Sequence, residues 1–187
     1  MSAEKPTQSL APCLLISMPQ LLDPNFARSV VLLCEHSSEG AFGLVLNRPT
    51  GQKASAVIQL TPPPASDSGL KLWVGGPVEP QRGWILLDRQ PETDGVVQVS
   101  DQVFLSSSNT LLRHLLEGPP PSRCRLLVGY AGWGPGQLDH ELTQSSWLIA
   151  EPNPELVFDT DGDTMWEQAL RRLGVDPLSL QTSSGVH

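Results

Sequence analysis

The chain reads as an α+β fold with largely antiparallel strand pairing. Three observations carry that expectation. Strand-like runs follow one another in hairpin-sized steps, and the helical patterns come late, which disfavours a doubly wound parallel sheet. With 18 prolines and 16 glycines in 187 residues, the elements must be short and the turns many. At 39% hydrophobic residues the chain can build a core, and its length suits one domain closed without metal or disulfide support. No internal repeat stands out.

The elements are expected in this order. A flexible tail occupies 1–9, a single domain 10–182 and a second tail 183–187. Residues 13–17 are short and apolar, a strand. Residues 18–26 hold Pro19 and Pro24, so they form a loop or a single helical turn. Residues 29–36 (SVVLLCEH) make the strongest strand. Val30 to Leu33 are apolar in succession, so both faces must be covered and the strand must be central. A reversal at 37–40 leads to a partner strand at 41–47, which Pro49 ends. A short helix is expected at 53–60, and 61–69 (TPPPASDSG) is the clearest internal loop. Strands at 70–74 and 84–88 flank a Gly75-Gly76-Pro77 corner, and 96–106 holds one or two more. The helix at 109–117 carries a stripe of Leu111, Leu112, Leu115 and Leu116. Ser108 or Asn109 caps it and Gly118 stops it. A strand at 125–130 runs into a glycine-rich turn, a short helix at 137–143 and a strand at 147–150. The final helix is expected to open on a capping box of Thr164 and Glu167 and to stop at Gly174.

Charge narrows the partners. The net charge is −8, and from Gly134 onward nine carboxylates face only Arg171 and Arg172, a local −7. Nucleic-acid binding draws its affinity from cations against phosphates, so no direct nucleic-acid partner is expected. The simplest role for the acids is a solvated face. The segment 1–9 is polar, and no apolar run approaches the ~20 residues that span a bilayer. No membrane partner is expected. Cys13, Cys34 and Cys124 form no CxxC and no zinc spacing, so they are read as free thiols in a reducing cytoplasm. No metal and no cofactor is expected.

Several separated stretches carry a family resemblance. They are SMPQLLDPNFARSVVLLCEHSSEGAFGLVLNRP over 17–49, VGGPV over 74–78, QRGW over 81–84, GYAGWGPGQL over 129–138, Trp147-Leu148 and WEQALRRLG over 166–174. In that order, across 14–180, they closely resemble the bacterial YqgE/AlgH family. The resemblance implies a compact α+β domain with crossing, mainly antiparallel sheets and peripheral helices, in a bacterial cytosolic protein. It implies no reaction. Some members carry the label of transcriptional regulator, and the acidic charge here directs that role away from DNA contact. Members often follow the GGPV turn with RGF-V-L-H. Here Leu87 and Asp88 stand near the place of that histidine, so no mechanism resting on it is carried over.

Candidate chemistry is sparse. Cys34 and His36 are two apart on a strand, so their side chains should leave one face, and an imidazole near a thiol favours the thiolate. A thiol enzyme or redox sensor is one reading, and a buried small cysteine beside a histidine is the favoured one. Asn47 and Arg48 close the first hairpin, where the guanidinium can clamp a carboxylate or phosphate, or else satisfy carbonyls or pair with Glu35. Gly132, Trp133 and Gly134 sit in a glycine-rich stretch that can hold an anion on backbone N–H groups. The favoured alternative there is a sharp turn with the rings of Tyr130 and Trp133 in the core. Asp159, Asp161 and Asp163 alternate like a calcium loop, but the glycine comes too early and no glutamate closes it, so they read as acids at a helix start. His140 between Asp139 and Glu141 forms no metal site, because neighbours on a helix diverge. The leading expectation is a non-enzymatic module that holds a small molecule or a protein in one cleft formed by Asn47, Arg48, Gly132, Trp133 and Gly134. Its oligomeric state stays open.

Overall fold

A computed structural model describes residues 8–183. The expected tails fall outside the described residues, apart from Gln8, Ser9 and Ser183. The elements are β1 (Cys13–Ser17), β2 (Val30–Ser37), β3 (Gly40–Val45), β4 (Pro49–Lys53), α1 (Ala54–Val57), β5 (Lys71–Val74), β6 (Val78–Leu87), β7 (Val97–Ser100), β8 (Val103–Ser106), α2 (Asn109–Glu117), β9 (Cys124–Trp133), α3 (Gln137–Thr143), β10 (Trp147–Ala150), a π-helical turn (Glu155–Asp159), α4 (Gly162–Arg172) and α5 (Pro177–Ser183). They form a single α+β domain around a curled, antiparallel sheet resembling a half-barrel.

The main strand order is β10-β1-β2-β3-β9-β6-β8-β7, and β5 joins β4 to β9. Every pairing is antiparallel except β5 with β9. Both faces are covered, as the apolar run in β2 requires. Val30 and Leu32 face the inner core with Met165, Trp166 and Leu170 of α4, while Val31 and Leu33 face an outer core with Trp133, Leu138 and Trp147. On the other half of the sheet, Ile85 and Leu87 meet Leu112, Leu115 and Leu116 of α2 in a third core. One strand therefore feeds two cores because its side chains alternate.

Strand β9 joins the two halves. Its residues 126–128 pair with β5, and 131–133 pair with β3, while β6 runs along the opposite edge. Between β5 and β6 the chain must cross β9, and it does so at Gly75-Gly76. A Cβ on Gly76 would stand 2.1 Å from the Tyr130 carbonyl carbon, and one on Gly129 would stand 2.3 Å from the Gly76 oxygen. Two main chains touch there, which only glycine permits.

Four boundaries differ from expectation. Strand β9 continues to Trp133, so the glycine-rich stretch begins as strand rather than turn. Strand β6 starts at Val78, not 84. Its first half is exposed, carries Pro80 and a register shift, and so lacks the apolar alternation that marks a strand. The helix expected at 53–60 is only Ala54–Val57, preceded by β4. Helix α4 starts at Gly162 with Asp161 as N-cap and no side-chain cap bond, so Thr164 lies inside the first turn, its hydroxyl donating to the Asp161 carbonyl at 3.4 Å. Gly162 packs where a Cβ would be 3.1 Å from both Pro49 and Trp73, so the first residue of the helix is held close against β4 and β5. The helix stop at Gly174 is as expected: Gly174 N donates to Arg171 O and Val175 N to Leu170 O. The π-helical turn and α5 had no counterpart in the expected elements.

Candidate functional site

The chain leaving β3 is fastened from both sides. Asn47 is buried, and its amide bridges the corner before β2: Val30 N donates to Oδ1 at 3.1 Å, and Nδ2 donates to Arg28 O at 2.9 Å. The next residue, Arg48, donates from Nη2 to the Ala27 carbonyl. Its own carbonyl accepts from Val74 N at 2.8 Å, and Val45 N donates to Gly75 O at 2.7 Å. The Asn-Arg-Pro end and the Gly-Gly-Pro corner are thereby held side by side.

A groove of about 330 Å³ opens between them, walled by Pro24, Val45, Pro49, Val74 and Pro77, with Arg48 as its charged group. Burial pulls the Arg48 pKa down from its ordinary value. Among the described residues Arg48 makes no ion pair. Its charge persists all the same, since guanidinium does not lose its proton under ordinary conditions. A half-buried cation on apolar walls, with one carbonyl and no acid, suits an incoming carboxylate or phosphate.

The other predicted residues do not join this groove. Trp133 pairs with Ala41 at the opposite end of β3, seven residues from Arg48 and roughly 20 Å away along an extended chain at about 3.3 Å per residue. The depression there, about 360 Å³, is lined by Glu35, Glu39 and Phe42 and shares no residue with the Arg48 groove. The indole of Trp133 is buried, stacks on Phe26 at 6.1 Å between centroids and donates to Glu141 Oε2 at 2.9 Å. Gly132 is an exposed strand residue opposite Phe42. The Gly134 N–H is taken by Gln137 Oε1 at 3.0 Å. The single cleft that was expected is thus two separate depressions. Phe26 links them only indirectly, packing on Trp133 one residue before the carbonyl that holds Arg48.

Cys34 and His36 are also separated. The register of β2 on β3 shifts between Leu33 and Glu35, so Cys34 is an extra, bulged residue. It packs on the inner core, whereas His36 turns to the outer face. Burial, reinforced by the charge of Glu35, pushes the Cys34 thiol pKa upward, away from a reactive thiolate. The His36 side chain is 1% exposed; Nδ1 accepts from Leu10 N at 3.1 Å and Nε2 faces Asp139 Oδ1 at 3.2 Å. Nδ1 is therefore taken, whereas Nε2, though close to Asp139, makes no hydrogen bond among the described residues.

Two polar residues matter that the sequence pattern did not single out. Glu141 accepts both indole N–H groups, from Trp133 at 2.9 Å and Trp147 at 2.8 Å. Arg125 is buried in β9, lies 3.9 Å from the Trp73 ring centroid and donates to the carbonyls of Val157, Phe158 and Thr160. A lone arginine in a strand gives no sequence signal of either contact. Among the described residues no group of three or more His, Cys, Asp or Glu is placed to hold a metal, and no helix is long and apolar enough to cross a membrane.

A family model described as AlgH-like matches residues 14–178. A UPF0301 protein of Rhizobium meliloti is 39% identical over 180 residues, spanning 91% of this chain and 90% of its own length. A UPF0301 protein of Xylella fastidiosa is 38% identical over 183 residues, spanning 96% and 97%. Among solved structures, that of the AlgH protein from Pseudomonas aeruginosa is similar with a TM-score of 0.78 at 37% identity, over 100% of both chains. A crystal structure of a Corynebacterium diphtheriae protein is similar with a TM-score of 0.68 at 25% identity, over 100% of this chain and 95% of that one.

Proposed function

The chain belongs to the AlgH-like family, and from that premise we propose that it is a binding module whose Arg48 groove takes a small ligand with an apolar body and one anionic group. The observation that carries this reading is the Arg48 guanidinium, half-buried on apolar walls and without an ion pair among the described residues. At about 330 Å³ the groove is at the small end of ligand sites. A regulatory role would act through that ligand rather than through DNA, in keeping with the net charge of −8. The three unpaired thiols suit a reducing cytoplasm.

Benzoate titrated into labelled protein is expected to shift the Val74 amide and the Arg48 side-chain resonances saturably. Arg48→Gln should weaken the effect at least tenfold, and Arg48→Lys should restore only part of it, because an ammonium lacks the planar fork. Native mass spectrometry of protein taken from its own cells should show a retained low-mass anion that Arg48→Gln loses. Absence of both a retained anion and a benzoate response sinks the reading.

A further inference from the structure

The chain enters β1 over one buried histidine. Leu10 N donates to His36 Nδ1 at 3.1 Å, a bond between residues 26 apart in the chain. Among the described residues it is the only hydrogen bond from residues 8–11 to a distant part of the molecule. Leu10 and Ala11 pack there on the outer core that Leu33, Trp133 and Leu138 build. On the other side of the ring, Nε2 lies 3.2 Å from Asp139 Oδ1 of α3 and makes no hydrogen bond.

The tautomer follows from this arrangement. A ring nitrogen that accepts a hydrogen bond is offering its lone pair, so the neutral imidazole holds its hydrogen on Nε2. The one place left for a second proton is Nδ1. Protonation there sets two N–H groups against each other at 3.1 Å, and the Leu10 bond is lost. The same proton charges the ring, and the Asp139 carboxylate already stands in place to pair with it. The other titratable groups nearby are acids and one thiol. Glu35 and Glu39 line the depression that His36 shares, and Glu141 of α3 is held by the Trp133 and Trp147 indoles. Cys13 of β1 is neutral, its thiol pushed up to about 11 by burial. Strands β3 and β9 bring Ala41 and Trp133, which carry no charge. Among the described residues no lysine or arginine pairs with any of these carboxylates.

We propose that His36 is a proton-operated latch: the neutral ring holds residues 8–11 on the outer core, and the charged ring pairs with Asp139 and lets them go. Histidine is the side chain that ordinarily changes charge in mildly acid solution, so a fall in pH is the signal such a latch reads. The two states exchange one hydrogen bond for one ion pair, and the opening is local. Release uncovers the outer core beneath Leu10 and Ala11 and leaves β2 in its sheet. His36 does not line the Arg48 groove, so the latch stands apart from ligand binding there.

The test follows the His36 ring resonances and the Leu10 amide of the labelled full chain from about pH 8 to about pH 5. The expected result is one shared midpoint: as the ring titrates, the Leu10 amide shifts and its exchange protection falls at least tenfold, while the Leu32 amide in the middle of β2 keeps its protection. Asp139→Asn should move the release to lower pH, because the charged ring loses its counter-ion. His36→Gln, which keeps an acceptor but does not titrate, should leave Leu10 protected across the whole range. The wild-type titration needs no variant to fold. Titration of the ring without any response at Leu10, loss of Leu10 protection without titration of the ring, no titration in this range, or joint loss at Leu10 and Leu32 would each overturn the proposal.

Discussion

Cys34 and His36 illustrate how a single inserted residue changes chemistry. At ordinary strand spacing they share a face, but the bulge after Leu33 sends one inward and the other outward. Burial then lifts all three thiols, Cys13 to about 11 and Cys124 to about 12, with Cys34 higher still. The sign of the linkage follows. In the unfolded chain the thiols ionise near the ordinary value of 9.0, below their folded values. Their contribution to stability is therefore intact below that pH and declines as pH rises toward the folded values. Native alkylation at pH 8 should be slow at every cysteine and become fast only in denaturant. Mass-mapped labelling checks this, and rapid native labelling of Cys34 would revive a thiol function.

At the scale of elements, the ends of α2 and the first hairpin were legible because short-range signals decide them. Ser108 accepts from Leu111 N, and Gly118 closes α2 with a bond to His114 O, both as the local pattern implies. The π-helical turn was not legible, because its carbonyls are satisfied from another element. Arg125 of β9 supplies the donors. Arg125→Met should cost about 3 kcal/mol, since each buried carbonyl left unpaired costs about 1–3 kcal/mol. Arg125→Lys should recover less than half, because one ammonium cannot reach all three oxygens in the guanidinium's geometry. Urea unfolding followed by tryptophan fluorescence measures both. A loss under about 0.5 kcal/mol for Arg125→Met would mean that water replaces the clamp.

For the whole molecule, the decisive feature is the crossing of β9 by Gly75-Gly76. Gly76→Ala should cost more than about 4 kcal/mol or prevent folding, because the new Cβ collides with main chain that cannot move aside. Gly51→Ala is the internal control. Gly51 has a φ of 76° with open space around it, so alanine there should cost only about 1–2 kcal/mol of backbone strain. Comparable losses in the two variants, by urea midpoint, would show that φ rather than the crossing sets the requirement for glycine. The same crossing brings the Gly-Gly-Pro corner beside Arg48 and so shapes the groove.

The sequence by itself determined the α+β class, the central place of Val30–Leu33 and the family, because apolar periodicity, turn residues and motif order are local properties of the chain. It also marked Arg48, since an arginine held at a proline-ended corner is visible in the text. Tertiary structure alone decided which marked residues meet. Trp133 lies on β9 opposite Ala41 near the start of β3, whereas Arg48 lies just beyond the end of β3, and Pro24, Val74 and Pro77 arrive beside Arg48 from distant segments. Proximity of that kind comes from strand register and from where one main chain passes over another, and neither is encoded in the spacing of residues along the chain.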